Sequence, residues 1–374
     1  MVSRNSTSQM PNAMMPDPRG QAILSAVIKE HLKTGEPIGS RTISDRFAHA
    51  AGWSSATIRN IMGELEEAGL VEQPHTSAGR IPTDKGYRFY VDHMLGETRL
   101  SKTDMDAINS FLGIQTGEQG ATVPDRLMEK TSHLLSALSE NVGIVVSPSL
   151  ADNVLQHIEF MHLADNRILV VLVSASNIIH NKIIRIDESL SQMELEHTAR
   201  YLNTEFSGKS LLAIRAEILE LMREEKALYD KLLRNAMLLC DRSLEGEEAT
   251  TGEVYVDGAS NILTKPEFAD AERMRELFRT FEEKSRLVKI LNECVARDQP
   301  FAGDVQVIIG REHIAPSMQS CTLITAPYRI GLGDATGALG VVGPMRIEYE
   351  RMVAVVNYVA RLIERMLRED AVSN

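Results

Sequence analysis

Arg59 and Asn60 carry side chains suited to reading base edges, and they lie in a segment with helical periodicity. In a major groove, arginine can donate two hydrogen bonds to guanine, and asparagine can pair with adenine. Ala56 and Gly63 fall on the same predicted face, where small side chains allow another molecule to approach closely. The opposite face is apolar at helical spacing and is predicted to pack on a core. Its residues are Ile58, Ile61, Met62 and Leu65.

The charges along this predicted helix, residues 55–68, favour an anionic partner at its N-terminal end. The acids Glu64, Glu66 and Glu67 occur only in the second half, where the helix dipole does not favour them. The first half is therefore free of negative charge, as a helix end approaching phosphates requires. A polar outer face is also the ordinary property of a solvated helix, so this pattern alone leaves both interpretations open. Arg59 can equally be interpreted as a clamp on the phosphate backbone.

The segment before this helix completes a helix-turn-helix pattern. Ser40 is predicted to cap a first helix over residues 41–48, and residues 50–53 form a short turn containing glycine. The cap of the second helix is predicted to be Ser54 or Ser55. Two helices joined by about four residues that include a glycine are typical of this motif.

The segment after the helix predicts a β-hairpin and a further helix. Gly69 is expected to end the second helix, and residues 70–73 and 80–83 read as two short strands. Between them, residues 74–79 form a tip rich in turn-forming residues, and a helix follows over residues 84–95. A helix-turn-helix followed directly by a hairpin predicts a winged helix.

Two arginines lie at the end of the predicted wing and in the helix that follows it. Arg80 is expected to contact phosphate or the minor groove together with the hydroxyls of Thr76 and Ser77. The alternative is that Arg80 only braces the hairpin. Arg88 is predicted to lie on an exposed side of the helix that follows.

The net charge of the 374-residue chain is −12, which taken globally argues against a nucleic-acid partner. Residues 1–96, however, contain ten basic and ten acidic side chains, and the remaining residues carry the whole excess of acid. A neutral DNA-binding domain has modest non-specific affinity, so it must depend on specific contacts and on pairing two copies. The candidate DNA-binding residues are Ser40, Arg41, Ser54, Ser55, Ala56, Thr57, Arg59, Asn60, Gly63, His75, Thr76, Ser77 and Arg80.

Several sequence strings resemble the heat-inducible transcription repressor family HrcA, and the resemblance extends from about Asp17 to the end of the chain. The N-terminal strings are Ser55–Asn60, Leu65–Leu70, Pro74–Thr83 and Gly86–Asp92. Later strings that match in order are Val254–Gly258, Pro266–Phe268, Ile309–Glu312 and Gly340–Arg346. The chain departs from the family pattern at His313, Ile347 and Glu348, all outside the predicted DNA-binding region.

The resemblance implies a homodimeric repressor in the bacterial cytoplasm that binds an inverted-repeat operator ahead of chaperone genes. It further implies that the chaperonin GroEL keeps the repressor active, so that heat relieves repression when unfolded protein occupies the chaperonin. A GAF-like sheet domain and an inserted dimerisation domain are implied as well. Because GAF-like domains often bind small molecules, a winged-helix regulator that senses an effector is the alternative function.

The rest of the chain predicts an α+β multidomain protein. We expect a disordered tail at 1–16, a winged helix at 17–96, a linker at 97–122, a GAF-like domain at 123–189 and 300–374, and an insertion at 190–299. Strands at 143–147, 154–163, 167–173 and 178–186 predict an antiparallel meander. The insertion is mostly helical, and its many leucines predict the dimer contact. A single decorated domain is the alternative.

No enzymatic, metal or cofactor site is predicted. The Gly-rich segment 331–337 precedes another strand rather than a helix, so it is interpreted as a hairpin turn and not as a nucleotide loop. His157 and His162 are five apart in a strand and face opposite sides, which excludes a shared metal. The three cysteines have no metal-ligand spacing, and their odd, sparse number fits a reducing cytoplasm. No apolar run reaches the length of a membrane span.

Overall fold

The computed structural model describes residues 15–47, 52–76, 78–96, 99–113, 124–148, 154–174, 179–186, 190–224, 230–244, 253–295, 305–329 and 336–373. The helices are α1 (Pro18–Thr34), α2 (Ser40–Phe47), α3 (Ser55–Glu67), α4 (Asp84–Met94), α5 (Lys102–Phe111), α6 (Pro124–Ser139), α7 (Gln192–Glu205), α8 (Leu211–Glu224), α9 (Asp230–Leu244), α10 (Ala259–Ile262), α11 (Ala271–Glu282), α12 (Lys284–Val295) and α13 (Tyr349–Ser373). The strands are β1 (Val71–Glu72), β2 (Ile81–Pro82), β3 (Val142–Val146), β4 (Leu155–Leu163), β5 (Arg167–Ser174), β6 (Ile179–Arg185), β7 (Val254–Asp257), β8 (Gln306–Ile309), β9 (Cys321–Arg329) and β10 (Thr336–Pro344). Among the described residues, no helix is both long and apolar enough to cross a membrane.

The chain forms two compact units, and the first combines distant parts of the sequence. It contains residues 1–99 together with Ile308–Thr322 and Gly343–Val353. Helices α1 to α4 surround a common apolar core, because each turns its hydrophobic stripe inward. Fully buried members of this core are Ile23, Leu24, Val27, Ile28, Ile43, Ile58, Leu65 and Tyr87.

The second unit contains Leu100–Val307, Leu323–Val342 and Ala354–Asn374. Within it, β3 runs antiparallel to both of its neighbours, with Ile144 opposite Gly340 on β10 and opposite Val256 on β7. The complete order of this five-stranded sheet is β7-β3-β10-β9-β8. The chain is therefore an α+β protein with antiparallel sheets, as the sequence predicts.

Two details of the predicted topology are wrong. Strand β3 was expected in a meander with the three strands that follow it, but it pairs with β7 and β10 instead. Strand β7 was expected inside the helical insertion, yet it belongs to the same sheet as β3. Sequence alternation identifies a strand but does not select its partner, which is why both elements were recognised and wrongly grouped.

Strands β4, β5 and β6 form a separate antiparallel sheet that packs on helices α7, α8 and α9. The β4–β5 hairpin turns at Asp165 and Asn166, whose φ angles of 62° and 53° are those of a tight turn, as predicted there. The second predicted turn, 175–177, lies outside the described residues. One hydrophobic core joins the sheet to the helices, so the division expected between residues 189 and 190 runs through the middle of it.

The leucines expected to form a dimer contact lie mainly in this core. Leu211, Ile218, Leu233 and Leu239 are at most 4% exposed. Leu221 and Leu238 are partly buried and pack on the same cluster, whereas Leu212, at 44%, is well exposed. The apolar spacing of α8 and α9 is thus accounted for by the sheet beneath them.

Candidate nucleic-acid interface

Helix α3 is bounded by the residues that the sequence indicates. The Ser54 hydroxyl caps its N-terminus by accepting a hydrogen bond from the Thr57 backbone N–H at 3.1 Å. Of the two predicted caps, Ser54 is therefore the correct one. At the other end, Gly69 adopts a left-handed conformation with φ of 73°, which terminates the helix.

The two faces of α3 have the predicted character. Ile58, Ile61, Met62 and Leu65 are buried, whereas Ala56, Arg59 and Asn60 are exposed. Gly63 lies half-buried, and a Cβ built there would meet no atom within 4 Å. Glycine inside a helix is about 1 kcal/mol less favourable than alanine. Among the residues that the structure describes, no packing contact requires a glycine at position 63.

The N-terminal ends of α2 and α3 meet. The hydroxyls of Ser40 and Ser55 lie 3.1 Å apart and form a hydrogen bond. Ser40 is the first residue of α2 rather than its cap, so the expectation for that residue is wrong. Arg41 follows Ser40 and is exposed. Neither helix has an acidic residue in its first turn, so the joined ends present partial positive charge without an opposing carboxylate.

The hairpin after α3 is a two-stranded sheet with one added bridge that the sequence does not predict. Strands β1 and β2 pair antiparallel, with Glu72 opposite Ile81. Ile38 adds a bridge to Arg80, since each backbone N–H donates to the other residue's carbonyl at 2.9 Å. A Cβ on Gly79 would lie 2.4 Å from the Ile38 carbonyl, so only glycine permits this approach. Sequence periodicity could not reveal a single bridging residue.

The tip of the hairpin is fixed at its base and open at its end. The Gln73 side-chain amide donates hydrogen bonds to the carbonyls of Thr76 and Ala78, at 3.0 and 2.9 Å. His75 and Thr76 are exposed at the end of the tip. Ser77, another predicted contact, lies outside the described residues.

Arg80 does not extend from the hairpin as expected of a phosphate ligand. Its guanidinium Nη2 lies 2.8 Å from the Glu66 carboxylate near the end of α3, and its side chain is only 20% exposed. The Nε atom is buried. This placement corresponds to the alternative left open by the sequence, in which Arg80 braces the hairpin.

Arg88 on α4 is not exposed, contrary to the prediction. Its Nε and Nη2 donate to the two carboxylate oxygens of Glu312 at 2.7 and 2.5 Å, and its Nη1 donates to Asp92 at 3.1 Å. Burial alone would lower the pKa of Arg88, but the carboxylates of Glu312 and Asp92 together outweigh burial and the pKa is raised. Helical spacing indicated a polar position and could not reveal a partner 224 residues away.

The segments 308–322 and 343–353 hold the same helices at further points. The Asp84 carboxylate, at the start of α4, accepts from the Arg311 N–H at 2.9 Å. Arg346 donates to the Leu32 carbonyl at 3.1 Å, near the C-terminus of α1. Two of the later strings that resemble the repressor family, Ile309–Glu312 and Gly340–Arg346, therefore supply groups that hold the N-terminal helices in place.

A buried aromatic pair reinforces these contacts. The Tyr349 ring lies 5.7 Å from the Tyr87 ring of α4, and the Tyr87 hydroxyl lies 2.8 Å from Nδ1 of His31 on α1. The Tyr349 hydroxyl donates to the Met345 carbonyl at 2.7 Å and lies 3.0 Å from the Thr322 hydroxyl. Burial raises the pKa of Tyr349 well above its ordinary value, so the phenol stays neutral.

Known proteins resemble this chain along nearly its whole length. The family model described as HrcA protein C terminal domain matches residues 125–353. The heat-inducible transcription repressor HrcA of Geobacter sulfurreducens is 41% identical, over 93% of this chain and 97% of its own length. That of Syntrophobacter fumaroxidans is 37% identical, over 94% and 97%. A crystal structure of a hypothetical protein, 21% identical, matches the fold with a TM-score of 0.58 and covers 95% of this chain and 100% of its own. The Geobacter and Syntrophobacter relatives are named as repressors rather than as enzymes, and the chain belongs to the heat-inducible transcription repressor family HrcA.

Proposed function

We propose that residues 17–96 form a winged helix that inserts α3 into a major groove of operator DNA. The exposed face of α3 carries this proposal. Arg59 and Asn60 lie there beside Ala56 and the open space at Gly63, and no carboxylate lies in the first turn. Arginine and asparagine can then reach guanine and adenine edges while the small residues admit the DNA.

The contribution of the other candidate residues follows from their positions. Ser54, Thr57 and Arg41 lie at the N-terminal ends of α2 and α3, where hydroxyl, backbone N–H and guanidinium groups can contact phosphates. His75 and Thr76, with Ser77 beside them, are proposed to contact the backbone or the neighbouring minor groove. Ser40 and Ser55 act indirectly, because their hydroxyls bond to each other.

The test of this readout compares operator with random DNA. Arg59→Ala and Asn60→Ala should each weaken operator binding by about 1–3 kcal/mol and leave binding to random DNA nearly unchanged. Fluorescence anisotropy on both DNAs measures the difference. Equal losses on both would assign these side chains to phosphates rather than to bases.

We further propose that the active repressor is a homodimer, as an inverted-repeat operator requires. The outer face of the sheet β4-β5-β6 is the surface that supports this proposal. Met161, Leu169 and Ile183 are cross-strand neighbours on this face. Val173 pairs with Ile179 further along it, beyond a row that contains Glu159 and Asn181. Met161, Ile179 and Ile183 are 52–61% exposed, whereas the other face is covered by helices. Large apolar side chains exposed together on one sheet face are typical of an interface.

The dimer surface is tested with a charge on that face. Ile183→Glu should convert the dimer to a folded monomer and lose cooperative operator binding, because a carboxylate buried between two apolar faces is costly. Light scattering measures the mass. Met193→Glu is the matched control, since Met193 is 77% exposed, belongs to α7 rather than to the sheet face, and should leave the dimer intact. A dimer that persists in Ile183→Glu would place the contact elsewhere.

The remaining parts of the proposal follow from family membership. The five-stranded sheet is proposed to be the GAF-like domain, and the operator is proposed to precede chaperone genes in a bacterial cytoplasm. The chaperonin GroEL is proposed to maintain the active repressor. Adding purified GroEL should raise the fraction of protein that binds operator, and an excess of unfolded protein should reverse this gain. An unchanged active fraction would contradict the chaperonin part alone.

A further inference from the structure

Three elements of the proposed DNA-binding unit meet at Arg80. Its backbone forms the two-way bridge with Ile38, which precedes α2. Its side chain reaches the Glu66 carboxylate near the end of α3, at 2.8 Å. It also follows the wing tip directly and precedes β2. A single residue thus connects the wing, the α1–α2 connection and the helix proposed to read DNA.

The burial of Arg80 distinguishes a brace from a phosphate ligand. An arginine binds a phosphate through guanidinium N–H groups that are free to reach it. Here the Arg80 side chain is 20% exposed and its Nε lies buried. Its guanidinium is paired with the carboxylate of Glu66, whose side chain is 36% exposed. A phosphate would have to displace a carboxylate that is already in place.

We infer that Arg80 and Glu66 are positioning residues for DNA binding: together they fix the angle between the wing and α3, and neither contacts the DNA. This inference rests on the proposed winged-helix function and refines it. It assigns a role in binding to an acidic residue that electrostatics alone would treat as a hindrance.

The sign of the Glu66→Gln effect separates the two roles. If Arg80 binds phosphate, Glu66 competes with the DNA, and removing its charge should tighten binding. If the pair positions the wing, the same change should weaken operator binding by about fivefold, which is about 1 kcal/mol at about 1.4 kcal/mol per tenfold change. Glu64→Gln is the matched control, because it removes the same charge from an exposed site on the same helix.

Two further variants complete the cycle. Arg80→Gln should weaken binding about as much as Glu66→Gln without changing the slope of log affinity against log salt. A phosphate contact would instead reduce that slope by about one unit. The double variant should bind like either single variant, because the pair acts as one unit. Tighter binding by Glu66→Gln, or a reduced slope in Arg80→Gln, would overturn the inference.

Hydrogen exchange tests the brace without any DNA. The amides of Ile38 and Arg80 bond across the bridge, so they should exchange about fivefold faster in Glu66→Gln and Arg80→Gln than in the parent chain and in Glu64→Gln. Unchanged exchange in Glu66→Gln would reject the brace. A parent chain that binds no DNA would reject the proposed function instead, while the exchange result would still decide whether the brace exists.

Discussion

Glu312→Gln should destabilise the N-terminal helices although it lies 224 residues from its partner on α4. Glu312 accepts two hydrogen bonds from Arg88, and the side chains of Arg88 and Glu312 are 24% and 29% exposed. The glutamine keeps the shape but removes the negative charge that faces the guanidinium, while the Asp92 carboxylate still pairs with Arg88.

The exposure of the pair sets the expected magnitude. Breaking a buried ion pair from one side costs about 3–5 kcal/mol, whereas an exposed pair contributes about 0–1 kcal/mol. With roughly a quarter of each side chain exposed, we expect a loss of about 2 kcal/mol, between these limits. Asp92→Asn is the matched control. Asp92 is 41% exposed, so its loss should cost about 0.5 kcal/mol or less.

Trp53 provides a selective probe for this experiment. It is the single tryptophan of the chain, and it belongs to the same compact unit as Arg88 and Glu312. Its fluorescence during urea unfolding therefore reports that unit, which matters because a chain of two units need not unfold in one step. An unchanged Trp53 midpoint in Glu312→Gln would refute the reasoning, since segment 308–322 would then not stabilise the N-terminal helices.

Three other predictions follow from single sites. Gly63→Ala should stabilise the protein by about 0.5–1 kcal/mol, because alanine favours the helix and its Cβ meets nothing. The same variant should weaken operator binding. Thermal melts measure the first effect and fluorescence anisotropy the second, and unchanged affinity would mean that DNA does not approach this position. Burial raises the pKa of the Cys240 and Cys321 thiols to about 12. Both thiols should therefore resist a thiol-specific disulfide reagent at pH 8 until the chain unfolds. Rapid reaction of either thiol in the native protein would contradict their burial. Tyr349 has a raised pKa in the folded state. Its contribution to the free energy of unfolding is therefore complete below pH about 10, the pKa of an unfolded tyrosine, and is lost as pH rises further. If the stability of the compact unit that contains Trp53 stayed constant above pH about 10, this prediction would be contradicted.

Local signals explain why helix α3 and its boundaries could be predicted well. The stripe of Ile58 to Leu65, the Ser54 cap and the Gly69 terminator each act within a few residues, so the sequence determines α3 almost completely. The same holds for the hairpin turn at Asp165 and Asn166. Each of these features depends only on interactions between residues that are close together in the sequence.

Non-local contacts explain the errors. The periodicity of Leu211 and Leu239 shows that each faces an apolar surface, but not whether that surface belongs to the same chain. Arg88 occupies a polar position on α4, and nothing near it in sequence indicates that Glu312 will cover it. The strand β7 was found correctly and assigned to the wrong sheet for the same reason.

The central claim is that two copies of α3 read an inverted repeat, and a footprint of the purified protein on its own upstream DNA tests it most directly. The account predicts protection of two related half-sites whose centres lie one helical turn or a multiple apart, about 34 Å per turn. It also predicts that Arg59→Ala abolishes this protection at the same protein concentration. Uniform protection along the DNA, a single isolated site, or a footprint unaffected by Arg59→Ala would contradict the claim.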